Sequence, residues 1–215
     1  VVVSQLNGVR PAKSPADAAF GGGGGTRISA FEILGSAALA RVPIVAHMPH
    51  SATTIPSDLR AGIVLDDADL AGELLATTDH FTDDLFGQVC DSGGVAFVNR
   101  LSRVVADPER FRDDAEEVMS RRGMGAVYRM TSQGAPLRDP APTPAEREAL
   151  LNRFFDPYHA AFERLVDEMV ARFGRCLILD GHSYPRAPLP FELRPDAERP
   201  DVCLGTDPIH SPERL

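Results

Sequence analysis

The sequence contains no tryptophan, only three cysteines, and no apolar run near the roughly 20 residues that a membrane-spanning helix needs. The cysteines, Cys90, Cys176 and Cys203, are widely spaced and form no Cys-x-x-Cys pair, so neither a disulfide framework nor a thiolate zinc site is indicated. The amino-terminal residues also lack the basic-then-apolar order of a signal peptide. From these absences we expect a cytoplasmic protein with no membrane partner.

Basic residues are fewer than acidic ones as well: 22 Lys and Arg against 31 Asp and Glu give a formal net charge of −9. A protein that binds nucleic acid normally presents a basic face, so this balance predicts no nucleic-acid partner. A local arginine cluster can nevertheless bind a small anion against the overall charge. The length of 215 residues suffices for one substantial α/β domain.

The chain divides by composition into two parts. Residues 1–27 are predicted to be a flexible segment, because the spacer "FGGGGGTR" would cost much conformational entropy to order. Residues 28–215 are predicted to form a single α/β domain. Their alternation of apolar and amphipathic runs predicts a parallel or mixed sheet covered by helices on both faces.

Individual elements follow from the same patterns. Strands are predicted at residues 43–48, 95–99, 103–107, 176–180 and 201–206. Helices are predicted at residues 66–93 (as one or two segments), at 108–123, and at 144–174 with a break near Pro157. Residues 131–144 are predicted to form an irregular loop.

Two histidines occur where predicted strands end. His50 follows the strand at 43–48, and His182 follows the strand at 176–180. Ligands collect at the carboxyl edge of open α/β sheets, and two imidazoles there suit Zn²⁺, with Asp180 able to orient one of them. The alternative is that both are ordinary turn residues.

Carboxylates and arginines accompany these histidines. Asp79 and Asp83 are four residues apart and share a face if their segment is helical. They are then either metal ligands or part of a solvated helix surface. His80 would point to another side. Four arginines flank Asp107 in the sequence: Arg100, Arg103, Arg110 and Arg112. This cluster indicates either internal pairing with Asp107 or binding of an acidic substrate.

Six ordered motifs resemble those of the N-formylglutamate amidohydrolases. They are "PHSATTIP", "TDHFTDDLF", "LSRVVADPER", "YHAAFERLV", "LILDGHSYP" and "RPDVCLGT", and together they span roughly residues 40 to 206. The resemblance implies a zinc-dependent hydrolase with a three-layer α/β/α, phosphorylase/hydrolase-like fold and a mixed, mostly parallel sheet. Members of the family cleave N-formyl-L-glutamate to formate and glutamate in histidine breakdown.

Carried onto this sequence, the resemblance makes His50, Asp79 and His182 the metal ligands, with Asp83 as the alternative to Asp79. Arg103 and Arg110 would bind the carboxylates of a small acidic N-acyl amino acid, with Asp107 ordering them.

Two residues depart from the family pattern: Ala52 stands in place of a glycine and Glu109 in place of an asparagine. The resemblance also places the general-base glutamate beyond Leu215, so the domain is expected to lack its carboxyl-terminal part; Glu192 is the internal substitute. A catalytically inactive relative that binds an acidic small molecule, and a deacylase for another N-acyl amino acid, are the alternatives.

Overall fold

A mixed sheet forms the centre of the computed structural model, which describes residues 2–7, 29–189 and 199–206. Its six strands in these ranges are β1 (Val2–Asn7), β2 (Phe31–Leu34), β3 (Ile44–Met48), β4 (Val95–Asn99), β5 (Arg175–Asp180) and β6 (Gly205–Thr206). They are ordered β2-β4-β3-β5-β1-β6. The central strands β4, β3 and β5 are parallel, whereas β2 and β1 run antiparallel to their inner neighbours, and β6 is parallel to β1. The predicted mixed, mostly parallel sheet is therefore confirmed.

Helices cover both faces of this sheet. They are α1 (Ser57–Arg60), α2 (Asp67–Thr77), α3 (Thr82–Gly87), α4 (Pro144–Leu150) and α5 (Asp156–Phe173). On one face, residues of α5 such as Leu165 and Met169 pack against Val45 and Phe97. On the other face, Phe86 of α3 packs against small and apolar side chains of β3 and β4, including Met48. The predicted three-layer α/β/α arrangement is confirmed.

The strands β3 and β4 are almost entirely buried, as expected for parallel strands sandwiched between helices. Successive side chains of a strand point to opposite faces of the sheet. The side chain of His47 therefore lies on the α5 side of β3, whereas those of its neighbours Ala46 and Met48 lie on the other side. This alternation places an imidazole inside an otherwise apolar layer.

The predicted long helix at 144–174 is present with one irregularity. It begins with a capping box between Thr143 and Glu146. A π-helical turn at Leu151–Phe155 separates α4 from α5, close to the predicted break at Pro157. Gly174 ends the helix with a φ of 74°, a left-handed conformation that glycine adopts without strain.

Two predictions between residues 103 and 123 are wrong. Residues 103–107 form a turn at 103–105 followed by irregular chain, not a strand. Residues 108–123 contain turns, bends and a 3₁₀ turn at Val118–Arg122 rather than an α-helix. Carboxylates accept the backbone N–H groups that a helix would use: Asp107 binds the N–H of Glu109, and Glu117 binds those of Phe111 and Met119. The segment is thus held by side chains, not by a backbone ladder.

The ends of the chain are described in part. Val2–Asn7, inside the segment predicted to be flexible, forms β1 in the sheet, whereas the glycine-rich spacer lies outside the described residues. The strand predicted at 201–206 is limited to Gly205–Thr206. The division into a flexible segment and one domain stays a prediction. None of the helices in the described ranges has the length and apolar character needed to cross a membrane.

Candidate functional site

Three connections bring His50, Asp79 and His182 together at one edge of the sheet. His50 lies two residues beyond β3 and His182 two residues beyond β5, and these strands are parallel neighbours. The two imidazole ring centroids are 5.4 Å apart. Asp79 joins them from the connection between α2 and α3, and the potential ligand atoms of the three residues lie within 4.8 Å of one another. The strand-end histidines singled out from the sequence are therefore neighbours.

Asp79 is fixed against the end of β3. Its backbone N–H donates to the carbonyl oxygen of His50 at 2.9 Å. Its Oδ2 atom lies 2.8 Å from Nδ1 of His182 and 3.7 Å from Nδ1 of His50. Asp83 instead accepts a hydrogen bond from Arg100 at 3.3 Å, and His80 donates to the carbonyl oxygen of Leu75. Of the two aspartates considered, Asp79 is the one beside the imidazoles.

The orientation of His50 is set by a buried carboxylate. The Nε2–H of His50 donates to Oδ1 of Asp107 at 2.8 Å, and Asp107 is fully buried. Nδ1 of His50 then faces Asp79 and is buried without a hydrogen-bond partner in the described part of the chain. Burial and Arg103 lower the pKa of His50, but Asp107 and Asp79 outweigh them, so this pKa lies above its ordinary value.

Asp107 is held ionised by the cations around it. Burial raises the pKa of Asp107, but Arg103, His50 and Arg110 hold it well below the usual range. Arg103 donates from Nε at 3.0 Å and from Nη2 at 2.8 Å, and the Tyr128 hydroxyl donates at 2.7 Å, all to Oδ2. The internal pairing of arginine with Asp107, one of the two alternatives from the sequence, is thus present.

The other predicted arginines divide between the site and the surface. Arg110 lies near Asp107, with 3.7 Å between its Nε and Oδ2. Arg112 instead pairs with Asp156 and Glu148 on the α4–α5 surface, and Arg100 pairs with Glu32. Arg103 and Arg110 therefore remain the arginines of the site.

Glu109 is a member of the site that the sequence did not identify. Its Oε1 lies 3.2 Å from Nε2 of His182, and its Oε2 lies 3.4 Å from Nδ1 of His50. The one signal in the sequence is that a glutamate stands here in place of the family asparagine. The structure places the carboxylate of Glu109 against both imidazoles.

Carboxylates surround His182 on several sides. Burial lowers the pKa of His182, but Asp180, Asp79 and Glu109 together raise it to about 12. Burial raises the pKa of Asp79, but the two histidines lower it to about 2. These pKa directions favour a protonated His182 beside an ionised Asp79.

The donor set fits a divalent metal ion. Two imidazoles and one carboxylate are ligands that zinc and other transition metals accept, and three protein ligands leave room for a further one. The buried Nδ1 of His50 has no other hydrogen-bond partner among the described residues, and Asp107 fixes the opposite nitrogen in the manner typical of metal-binding histidines. The structure is compatible with a metal held by His50, Asp79 and His182.

A cavity of about 740 Å³ opens onto these residues. Its polar lining includes His50, Asp79, Glu109, His182 and the two arginines Arg103 and Arg110. Its lining also includes Met119, Tyr184 and Pro185. The cavity can accept a small molecule whose anionic group lies beside the arginines and whose reacting group lies beside the imidazoles.

Two curated proteins are similar to the chain in sequence. The N-formylglutamate deformylases of Pseudomonas putida and Pseudomonas aeruginosa are 29% and 30% identical to the chain over 168 and 169 residues, which are 77% and 78% of its length. The chain spans 60% of the length of each of these relatives.

Solved structures show the same fold. The N-formylglutamate amidohydrolase from Ralstonia eutropha JMP134 aligns with a TM-score of 0.65 and 29% identity, covering 74% of this chain and 59% of that protein. A gene product from Agrobacterium tumefaciens, at 19% identity, aligns with a TM-score of 0.58 over 72% of this chain and 56% of its own, and supports the fold alone. Residues 42–214 match the family model described as N-formylglutamate amidohydrolase, so the chain belongs to that family.

Proposed function

We propose that the protein hydrolyses the amide of N-formyl-L-glutamate, or of a related N-acyl amino acid, with a zinc ion held by His50, Asp79 and His182. The observation that carries this proposal is the convergence of these three side chains beside two arginines in one cavity. The names of the relatives supply the substrate class, an acidic N-acyl amino acid.

The chemistry divides between the ion and the protein. A bound zinc ion supplies a Lewis acid that polarises the amide and makes water a better nucleophile. His50 is kept in one tautomer by Asp107, so that its Nδ1 is available. Glu109, an acceptor within 3.4 Å of both imidazoles, would accept the proton of the attacking water and pass it to the leaving amine.

Substrate orientation falls to the arginines. Arg103 uses Nε and Nη2 to hold Asp107, while its Nη1 has no hydrogen-bond partner among the described residues. Both Arg103 and Arg110 line the cavity. A substrate carboxylate beside these guanidinium groups would have its amide directed toward the histidines.

The test of the proposal is release of formate from N-formyl-L-glutamate by the zinc-loaded protein. N-acetyl-L-glutamate and N-formyl-L-leucine, assayed in parallel, separate the preference for the acyl group from the preference for the acidic side chain. Zinc binding without hydrolysis of any N-acyl amino acid would contradict the enzyme and favour a binding protein.

Zinc binding is expected to release protons and to strengthen as the pH rises. The pKa of His182 is about 12 and that of His50 is raised, whereas a coordinating nitrogen must give up its proton. His182 is protonated at neutral pH, so the apparent Kd for zinc should fall about tenfold for each pH unit gained. Calorimetry in two buffers of different ionisation enthalpy counts the protons released, and a Kd independent of pH would contradict the site.

Substitution of Arg103 by lysine is expected to lower kcat/KM for N-formyl-L-glutamate about tenfold, or about 1.4 kcal/mol, because lysine keeps the charge but loses the guanidinium fork. N-formyl-L-glutamine is the matched control, since its side chain carries no charge. A smaller loss with this substrate supports contact of Arg103 with the side-chain carboxylate. Equal losses with both would exclude contact with the side-chain carboxylate and assign Arg103 to Asp107 or to the α-carboxylate that both substrates carry. Unchanged values would exclude it from function.

A further inference from the structure

A chain of buried polar groups leads from α5 to the candidate metal site. The Tyr158 hydroxyl is hydrogen-bonded to Nε2 of His47, and Nδ1 of His47 lies 2.7 Å from Oδ1 of Asp180. The other oxygen of Asp180, Oδ2, lies 3.6 Å from Nε2 of His182. His47 and Tyr158 are not among the groups that the proposed reaction uses.

The direction of these hydrogen bonds follows from the chemistry of the groups. A carboxylate accepts hydrogen bonds, and Oδ1 of Asp180 lies 2.7 Å from Nδ1 of His47. Nδ1 of His47 must therefore carry the hydrogen, which leaves Nε2 to accept one from the Tyr158 hydroxyl. Tyr158 donates to His47, and His47 donates to Asp180.

The position of His47 shows that the polar chain is built into the core. His47 is 8% exposed and lies in the buried strand β3, with its ring 4.5 Å from that of Phe162. An apolar residue would suit this layer better, because an imidazole there requires partners for both nitrogens. Both partners are present, and the path they form ends at Asp180.

We propose that Tyr158, His47 and Asp180 form a positioning relay that sets the ring orientation and tautomer of His182. With Oδ1 engaged by His47, Asp180 holds Oδ2 3.6 Å from Nε2 of His182, and Oε1 of Glu109 accepts from the same nitrogen at 3.2 Å. The two carboxylates together favour a hydrogen on Nε2, and the hydrogen bond from His47 fixes the position of Asp180. Nδ1 of His182, beside Asp79, is then the nitrogen left for a metal ion. This inference rests on the metal site of the proposed function, and it assigns roles to His47 and Tyr158 as positioning residues.

The test measures zinc affinity in the absence of substrate, by competition with a chromogenic chelator. His47→Leu removes the donor to Asp180 and is expected to raise the Kd for zinc by about tenfold or more, within the range typical of groups that orient metal ligands. Tyr158→Phe removes a single oxygen, and a smaller rise in the same direction is expected. Phe162→Leu is the matched control, because Phe162 packs on His47 without a hydrogen bond, and an unchanged Kd is expected.

Nitrogen-15 shifts of the His182 imidazole in the zinc-loaded protein provide a readout that a loss of packing alone would not move. The wild type should show coordination through Nδ1 with the hydrogen on Nε2, and His47→Leu should show a mixture of coordination modes. Unchanged Kd and unchanged shifts in both variants would overturn the relay while the proposed function stands. A wild-type protein that binds no zinc would overturn both.

A measurement of zinc stoichiometry distinguishes the relay from one further arrangement. His47, Glu109 and Asp180 also have potential ligand atoms within 4.8 Å of one another. One zinc per chain in the wild type is expected from the relay. Two per chain, falling to one in His47→Leu, would make His47 a metal ligand and overturn its positioning role.

Discussion

Replacing His182 with alanine is expected to abolish tight zinc binding and to lower kcat/KM by on the order of 10³-fold or more, about 4 kcal/mol of transition-state stabilisation. His50→Ala should have the same effect, because each substitution removes one of two nitrogen ligands from a site of three. Metal content measured by elemental analysis and formate release measured on the same samples provide the two readouts.

Matched controls for this prediction lie in the neighbouring connection. His80→Ala removes an imidazole that donates to the carbonyl oxygen of Leu75, outside the site. Asp83→Asn changes the aspartate that pairs with Arg100, whereas Asp79→Asn changes the one beside the imidazoles. We expect zinc to be retained in the first two variants and lost in the third. Unchanged zinc content in both His50→Ala and His182→Ala would exclude the proposed site.

Glu109→Gln is expected to lower kcat by about 10²–10⁴-fold, the usual contribution of a general acid–base group, with little change in zinc content. The amide keeps the size of the side chain but cannot accept a proton. Glu109 lies within hydrogen-bonding distance of His182 and lines the cavity, so a substrate amide beside the imidazoles would also be beside this carboxylate.

The other possible results for Glu109→Gln would each give Glu109 a different role. An unchanged kcat would place the general base elsewhere, as the resemblance does by expecting a glutamate beyond Leu215. Loss of zinc would make Glu109 a fourth protein ligand, and a zinc site closed by four protein ligands is typical of structural rather than catalytic metal. That result would favour the catalytically inactive relative. Glu109→Asn, which restores the family residue, separates the loss of charge from the loss of length.

The central fold and the pair of histidines were predictable because both depend on local patterns. Short apolar runs ending in His50 and His182 indicated parallel strands, and parallel neighbours place their carboxyl ends at one edge. The choice of Asp79 over Asp83 came from the resemblance, and the structure places Asp79 beside the imidazoles.

The segment at 103–123 and the relay were not predictable for physical reasons. The patterns there favoured a strand and a helix, but carboxylates such as Asp107 and Glu117 bind the backbone N–H groups, a competition that periodicity does not reveal. His47 was part of an apolar run, and its partners Tyr158 and Asp180 are 111 and 133 residues away in the chain. Glu109 was visible only as an exception to a motif.

The parallel pairing of β3 with β5 also determines when the site can form. Asp79 and His182 are separated by 103 residues, and His182 reaches the others only once β5 has joined the sheet beside β3. Contacts of such long sequence separation form slowly, and during synthesis the amino-terminal part of a chain emerges first. A chain still on the ribosome with β3 and α2 exposed has His50 and Asp79 but not yet His182. The three proposed ligands therefore come together late, and a metal bound by all three would be acquired after the sheet has assembled.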